Sequence, residues 1–234
     1  GELTTTFDKS TVIKGNPIVI NLAGTVPPTA KVTATLVFAN QSPIVGVPAV
    51  TATFSAGKIT FPIHPSIPAG QYKFYLSTVV DINPVNTYSA EFTVVNPNPV
   101  FTMVGSPTIS KASATTGKTT TMTATFDYSA KANGAALAKI LPANVSVVFE
   151  DTATGSTTPA STVTVTSAAV ANGATANNQK VVAIMNAASL PLSANFKAKI
   201  QSVAWTMGTT PNLTTGTETA AFATFVTPSV AFVK

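Results

Sequence analysis

Cysteine is absent from the 234 residues, and so is arginine: all thirteen basic residues are lysine. The first absence removes disulfides, thiolate nucleophiles and thiolate zinc sites together. The second removes the planar fork that dominates phosphate and guanine recognition. A net charge of +5 and a pI near 9.5 would otherwise raise nucleic acid as a partner. The lysines are dispersed, however, five against four acids in residues 1–99 and eight against four in residues 100–234, so no nucleic-acid partner is expected. Charge is scarce throughout, at 9% of residues against roughly 25% in ordinary soluble domains. No apolar run reaches the roughly 18 residues of a membrane helix, so the chain is not expected to span a membrane that way. No cationic segment followed by an apolar one opens it, and any export signal is expected to have been removed.

Threonine stands where charge is missing: there are forty. A β-branched, hydroxylated side chain wets the outward face of a strand without charge, so the composition predicts exposed sheet. The apolar 45% is largely alanine and valine, with aromatics at 8%, which predicts an interior of small side chains.

Alternation of period two identifies the strands. In GQYKFYLSTVV, Tyr72, Phe74, Leu76, Thr78 and Val80 share one face, and Gln71, Lys73, Tyr75 and Ser77 the other. In TYSAEFTVV, the expected inner face is Tyr88, Ala90, Phe92 and Val94, with Thr87, Ser89, Glu91 and Thr93 opposite. DINPVN between them reads as a hairpin turn. Earlier strands are expected at Leu3–Phe7, Pro17–Leu22, Lys31–Phe38, Val47–Phe54 and Lys58–Ile63. Two Asn-Pro pairs in VVNPNPVF then read as a stiff linker.

The pattern restarts with Pro107–Ala112 and KTTTMTATFDY, followed by Asn144–Glu150, Ser161–Ser167, Gln179–Asn186, Asn195–Trp205 and Gly216–Thr227. SAKANGAALAKILPA, residues 129–143, reads as an insertion, one helical turn or a long loop, with Leu137, Ile140 and Leu141 tucked under an edge. The predicted class is all-β: two consecutive immunoglobulin-like β-sandwich domains, residues 1–98 and 99–234.

PAGQYKFYLSTV, followed by a second alternating strand, resembles the late strands of bacterial immunoglobulin-like surface modules, and FDKSTVIKGNPIVINLAG resembles their first two strands. The resemblance covers most of residues 1–95. It implies an exported stalk, adhesin or glycan-system module on a bacterial surface, and it identifies no ligand.

Candidate chemistry is sparse. His64, the sole histidine, lies in FPIHPSIP without a nucleophile signature nearby, and a triad is recognised by a constellation rather than by one residue, so a turn role is favoured. Asp81 and Glu91 on neighbouring strands are an arithmetical glycosidase pair, but they read as a turn residue and an outward solvating one. Glu150 and Asp151 are too few for calcium. No cofactor or metal is expected, and no enzyme activity.

Two aromatic residues are the candidate ligand contacts. Trp205 falls in register with Lys197, Lys199 and Gln201, opposite Phe196, Ala198 and Ile200, a periodicity that turns the indole outward; Val203 on the same side argues against that, and because large aromatics mostly serve in cores a structural role is favoured, with ligand contact the alternative. Tyr75 is the corresponding outward aromatic of the first half. The expected function is a structural or adhesive bacterial surface module binding a protein or glycan. The alternatives are a carbohydrate-binding component of a glycan-uptake system and a self-assembling surface-layer or pilus subunit.

Overall fold

The computed structural model of the chain describes residues 1–113, 117–138, 140–152, 161–168, 176–186 and 195–231. The chain divides into two compact units, Gly1–Pro97 and Asn98–Lys234. Both are built of strands, as the threonine-rich alternation predicts, and the described residues contain no α-helix.

In the first unit, β1 (Leu3–Phe7), β3 (Pro17–Gly24) and β6 (Lys58–Pro62) form a sheet in the order β1-β3-β6. The second sheet holds β2 (Thr11–Ile13), β4 (Lys31–Phe38), β5 (Val50–Thr53), β7 (Gly70–Val80) and β9 (Phe92–Val95). Its order is β2-β9-β7-β4-β5, and β8 (Asn83–Tyr88) pairs with the distal half of β7. The chain therefore changes sheets between β1 and β2, and β2 runs parallel to β9.

Alternate residues of each strand face inward, so Ile18, Ile20, Ile59 and Phe61 of one sheet meet Val32, Leu36, Phe74 and Phe92 of the other. Phe74 is central, its ring 4.8 Å from that of Phe61 and stacked at 4.9 Å on that of Phe92. At about 1.5–3 kcal/mol for each fully buried large side chain, this aromatic cluster supplies cohesion across the sheets without a disulfide. At the start of β7 the Tyr72 hydroxyl donates to the Pro68 carbonyl at 2.6 Å. The sheet-switching early strand, the strand order and this tyrosine corner together make the unit an immunoglobulin-like sandwich.

In the second unit, β10 (Val100–Ala112), β11 (Thr121–Lys131) and β14 (Ala176–Asn186) pair in that order. β12 (Val145–Asp151), β15 (Asn195–Met207) and β16 (Thr214–Glu218) pair in their own order, and the short β17 (Val230–Ala231) also joins β15. β13 (Ser161–Ala168) links the two sets, pairing with β12 through residues 161–164 and with β14 through residues 165–168. Met122, Phe126 and Tyr128 of the first set bury against Val147, Phe149, Phe196 and Ile200 of the second.

Three local expectations are corrected. Strand pairing begins at Val100 rather than Pro107, because Val100–Val104 match Asp127–Lys131 before a register shift at residues 105–107. The segment expected as one strand, Gly216–Thr227, breaks after Glu218 into a 3-10 turn at Ala220–Phe222, which sends Phe222 and Phe225 into the core. Pairing with β15 resumes only at Val226. In the insertion, Leu137 and Ile140 are buried as expected but Leu141 is exposed. Ala138 N–H donates to the Thr206 carbonyl and Gly208 N–H to the Ala136 carbonyl, so the segment runs extended beside the end of β15.

Candidate functional site

Two single-residue insertions decide which aromatic side chains face solvent. In the first unit, Tyr75 pairs with Tyr88 and Tyr72 with Phe92. Two residues of β7, Lys73 and Phe74, therefore face three, Ser89, Ala90 and Glu91. One extra residue reverses the parity of a strand. Ser89 turns inward, where its hydroxyl accepts the Phe74 N–H at 2.8 Å and donates to the Ala90 carbonyl at 2.8 Å. The expected alternation across TYSAEFTVV is corrected accordingly: Tyr88 and Ala90 point out while Ser89 points in.

The consequence is an outward aromatic pair. Tyr75 keeps the orientation read from the sequence, half-buried, and Tyr88 lies across from it at 41% exposure, with ring centroids 5.2 Å apart and planes tilted by 50°. Following the pairings down the hairpin, the same face continues through Ser77 and Asn86 to Val79 and Pro84. It ends at a turn where Asp81 adopts a positive φ of 57° and Ile82 projects at 92% exposure. Beside the hairpin runs an open groove of about 670 Å3, walled by Pro27, Ala30, Lys31, Val79, Val80 and Asp81. The β4–β7 ladder stops at Thr33–Ser77, and the Thr78 hydroxyl donates to the Lys31 carbonyl at 2.7 Å just beyond it.

The flanking polar groups are tied to one another. Thr33 and Thr51 share a hydrogen bond of 2.9 Å, Lys31 Nζ donates to Thr53 Oγ1 at 2.9 Å, and the Thr93 hydroxyl donates to Gln71 Oε1 at 2.9 Å. Carboxylates are missing from this face between β2 and β5; Asp81 sits at the hairpin tip and Glu91 in the bulge. The surface is neutral to basic, with its apolar area gathered along the hairpin.

Trp205 lies elsewhere and differently. Ser146 pairs with Ser202 and Val147 with Ile200, leaving Gln201 as an extra residue of β15. Beyond it the inward set becomes Val203, Trp205 and Met207, and the outward orientation read for Trp205 is corrected: the indole is 6% exposed. It covers Gly216, its cross-strand partner, where a Cβ would come within 2.3 Å of the ring. An indole held this way has little surface to offer a ligand. Val203 carried the sequence signal for this arrangement.

The remaining candidates are placed apart. His64 Nδ1 accepts the Ser66 N–H at 3.1 Å and lies 2.7 Å from its hydroxyl, a bond that closes an exposed turn. Glu150 pairs with Lys199 at 3.0 Å. Among the described residues no three His, Cys, Asp or Glu side chains group as metal ligands. Tyr128 and Gln179, cross-strand neighbours in the second core, bury a hydroxyl and a carboxamide that have no hydrogen-bond partner among the described residues. Desolvation raises the Tyr128 phenol far above its ordinary value.

No protein-family model matches the chain, and no curated protein is similar to it. Among solved structures, a mutant of Salmonella alpha-2-macroglobulin aligns at a TM-score of 0.31 and 10% identity, over 93% of this chain and 16% of that one. Murine CEACAM1b aligns at a TM-score of 0.27 and 10% identity, over 99% of this chain and 98% of that one. The chain thus spans about a sixth of the macroglobulin's length. Likeness at these scores carries no argument, and the architecture rests on the strand pairings themselves.

Proposed function

We propose that the chain is a non-catalytic, extracytoplasmic module of a bacterial surface protein, structural or adhesive, whose first unit binds a partner through the outward face of the β7–β8 hairpin. The observation that carries this reading is the Tyr75–Tyr88 pair: two phenol rings held outward on a rigid sheet, continuous with Val79, Pro84 and Ile82. Tyrosine anchors on such surfaces carry a large share of binding energy, because they bring apolar area and a hydroxyl at little entropic cost. The tilt of 50° between the rings gives no flat platform for a sugar, which favours a protein or glycoprotein partner over a polysaccharide. With carboxylates only at its margins, Asp81 at the tip and Glu91 in the bulge, the face suits a partner that is neutral or acidic.

The test is a binding screen of the whole chain against immobilised matrix glycoproteins and polysaccharides, repeated with Tyr75→Ala/Tyr88→Ala. Loss of about thirtyfold or more in affinity for a glycoprotein hit is expected for a pair of central anchors. An unchanged affinity places the site elsewhere, and a hit confined to polysaccharides moves the reading to glycan uptake.

A further inference from the structure

Sheet edges expose unpaired N–H and C=O groups, and folded proteins guard them with charge, proline, bulges or brevity. Most edges here are guarded. β1 is five residues between Glu2 and Asp8, β2 is three between Lys9 and Lys14, and β5 is four. β6 carries Lys58 and Pro62 at its ends, and the β16–β17 edge is broken by the 3-10 turn.

β10 is different. It ends its sheet, pairs only with β11 among the described residues, and runs for thirteen residues. No charged residue occurs from Phe92 through Ser110. A bulge at Gly105–Pro107 protects the middle, and Lys111 reaches the Ala231 carbonyl at the far end. Val100–Val104 is left with neither charge nor proline. Val100 is 52% and Val104 44% exposed, while Phe101 and Met103 are only partly buried against the core.

This segment, Val-Phe-Thr-Met-Val, is complementary to its own reverse. Paired antiparallel with a copy of itself about Thr102, it sets Val100 opposite Val104, Phe101 opposite Met103 and Thr102 opposite Thr102. These are β-branched, apolar and hydroxyl pairs of the kind that stabilise sheets. Such self-complementarity is what a two-fold interface requires. We infer that residues 100–104 of β10 dock on the same residues of a second copy of this chain, extending the sheet across a two-fold axis. A five-residue ladder falls short of the roughly 1,200 Å2 of a stable interface, so the contact is weak and becomes effective when many copies are held at one surface. This inference is independent of the Tyr75–Tyr88 face, and Tyr88→Ala leaves the self-association unchanged.

The absence of native cysteine allows a direct test on the whole chain. Thr102→Cys places two thiols across the axis, within the 4.4–6.8 Å Cα separation that a disulfide accepts. Ser110→Cys is the control, since its two copies lie roughly 50 Å apart at about 3.3 Å per residue. Under mild oxidation the Thr102→Cys dimer is expected to form about tenfold faster or more, and Val104→Lys added to it should reduce the rate to that of the control. Equal rates for the two cysteine variants, or no effect of Val104→Lys, overturn the inference. Sedimentation of the cysteine-free chain supplies a second reading: a mass that rises toward dimer with concentration and falls back with Val104→Lys is expected, and a monomer up to about 1 mM overturns it.

Discussion

Ser89–Glu91 in the first unit and Gln201 in the second are the same device, one residue more on a strand than on its partner, with opposite results. The first insertion turns Tyr88 from the expected core face to solvent, and the second turns Trp205 from solvent into the core. What separates them is the partner each side chain then meets. Tyr88 arrives beside another outward ring, Tyr75, on a face of hydrogen-bonded threonines. Trp205 arrives over a glycine, whose missing Cβ leaves room for the indole. Aromatic content alone therefore says nothing about a binding surface in a sheet protein; the parity of the strand does.

The comparison breaks most visibly at Trp205. Trp205→Ala leaves a cavity in the second core and should cost about 3–5 kcal/mol, read as a lowered transition of that unit in calorimetry of the whole chain. In the intact protein, the indole emission should be blue-shifted and poorly quenched by iodide; a solvent-like spectrum would reverse the assignment. Gly216→Ala is the next largest effect. Its Cβ would displace the ring, an overpacking expected to cost about 1–3 kcal/mol, while the same change at the open Gly57 meets no neighbouring atom within 4 Å but forces alanine to a φ of +77°.

The two buried tyrosines sharpen the contrast between the units. Tyr72 is hydrogen-bonded to Pro68, so Tyr72→Phe should destabilise the first unit by about 0.5–1.5 kcal/mol. Tyr128 has no partner for its hydroxyl among the described residues, so Tyr128→Phe should be neutral or stabilising at pH 7. Both phenols are raised by desolvation, Tyr128 far more. A raised folded value favours the neutral form in the fold: its stabilisation is complete below the ordinary phenol value near 10 and is lost as pH climbs above it. Alkaline titration of the transition temperatures should therefore show the second unit failing more steeply above about pH 10, and Tyr128→Phe should flatten that limb. The effect of Tyr88→Ala on stability is of the same small order, about 0.5–1.5 kcal/mol from the lost ring pair, set against its large expected effect on binding.

Much of the fold was legible. The alternation in Gly70–Val80 was unbroken, so Tyr72, Phe74, Leu76 and Tyr75 were assigned to the correct faces. The strands Leu3–Phe7 and Lys31–Phe38 emerged with their bounds intact, because turn residues flank them and β-branched residues fill them. Half of the candidate site was legible too. Tyr75 was read as outward; Tyr88 was missed, since TYSAEFTVV alternates well enough to hide an extra residue. The C-terminal Phe222 and Phe225, three apart and out of phase with a strand, were the available sign that Gly216–Thr227 does not run straight.

Local composition determined the all-β class, the threonine-coated surface and the lack of thiol chemistry, because each follows from propensities and residue types that act within a few positions along the chain. The parity of Tyr88 and Trp205 was decided only in the assembled sheets. A bulge is selected by how two distant strands match, Tyr72 with Phe92 or Val147 with Ile200, and whether the reversed side chain gains a glycine beneath it or a second ring beside it depends on a strand elsewhere in the chain.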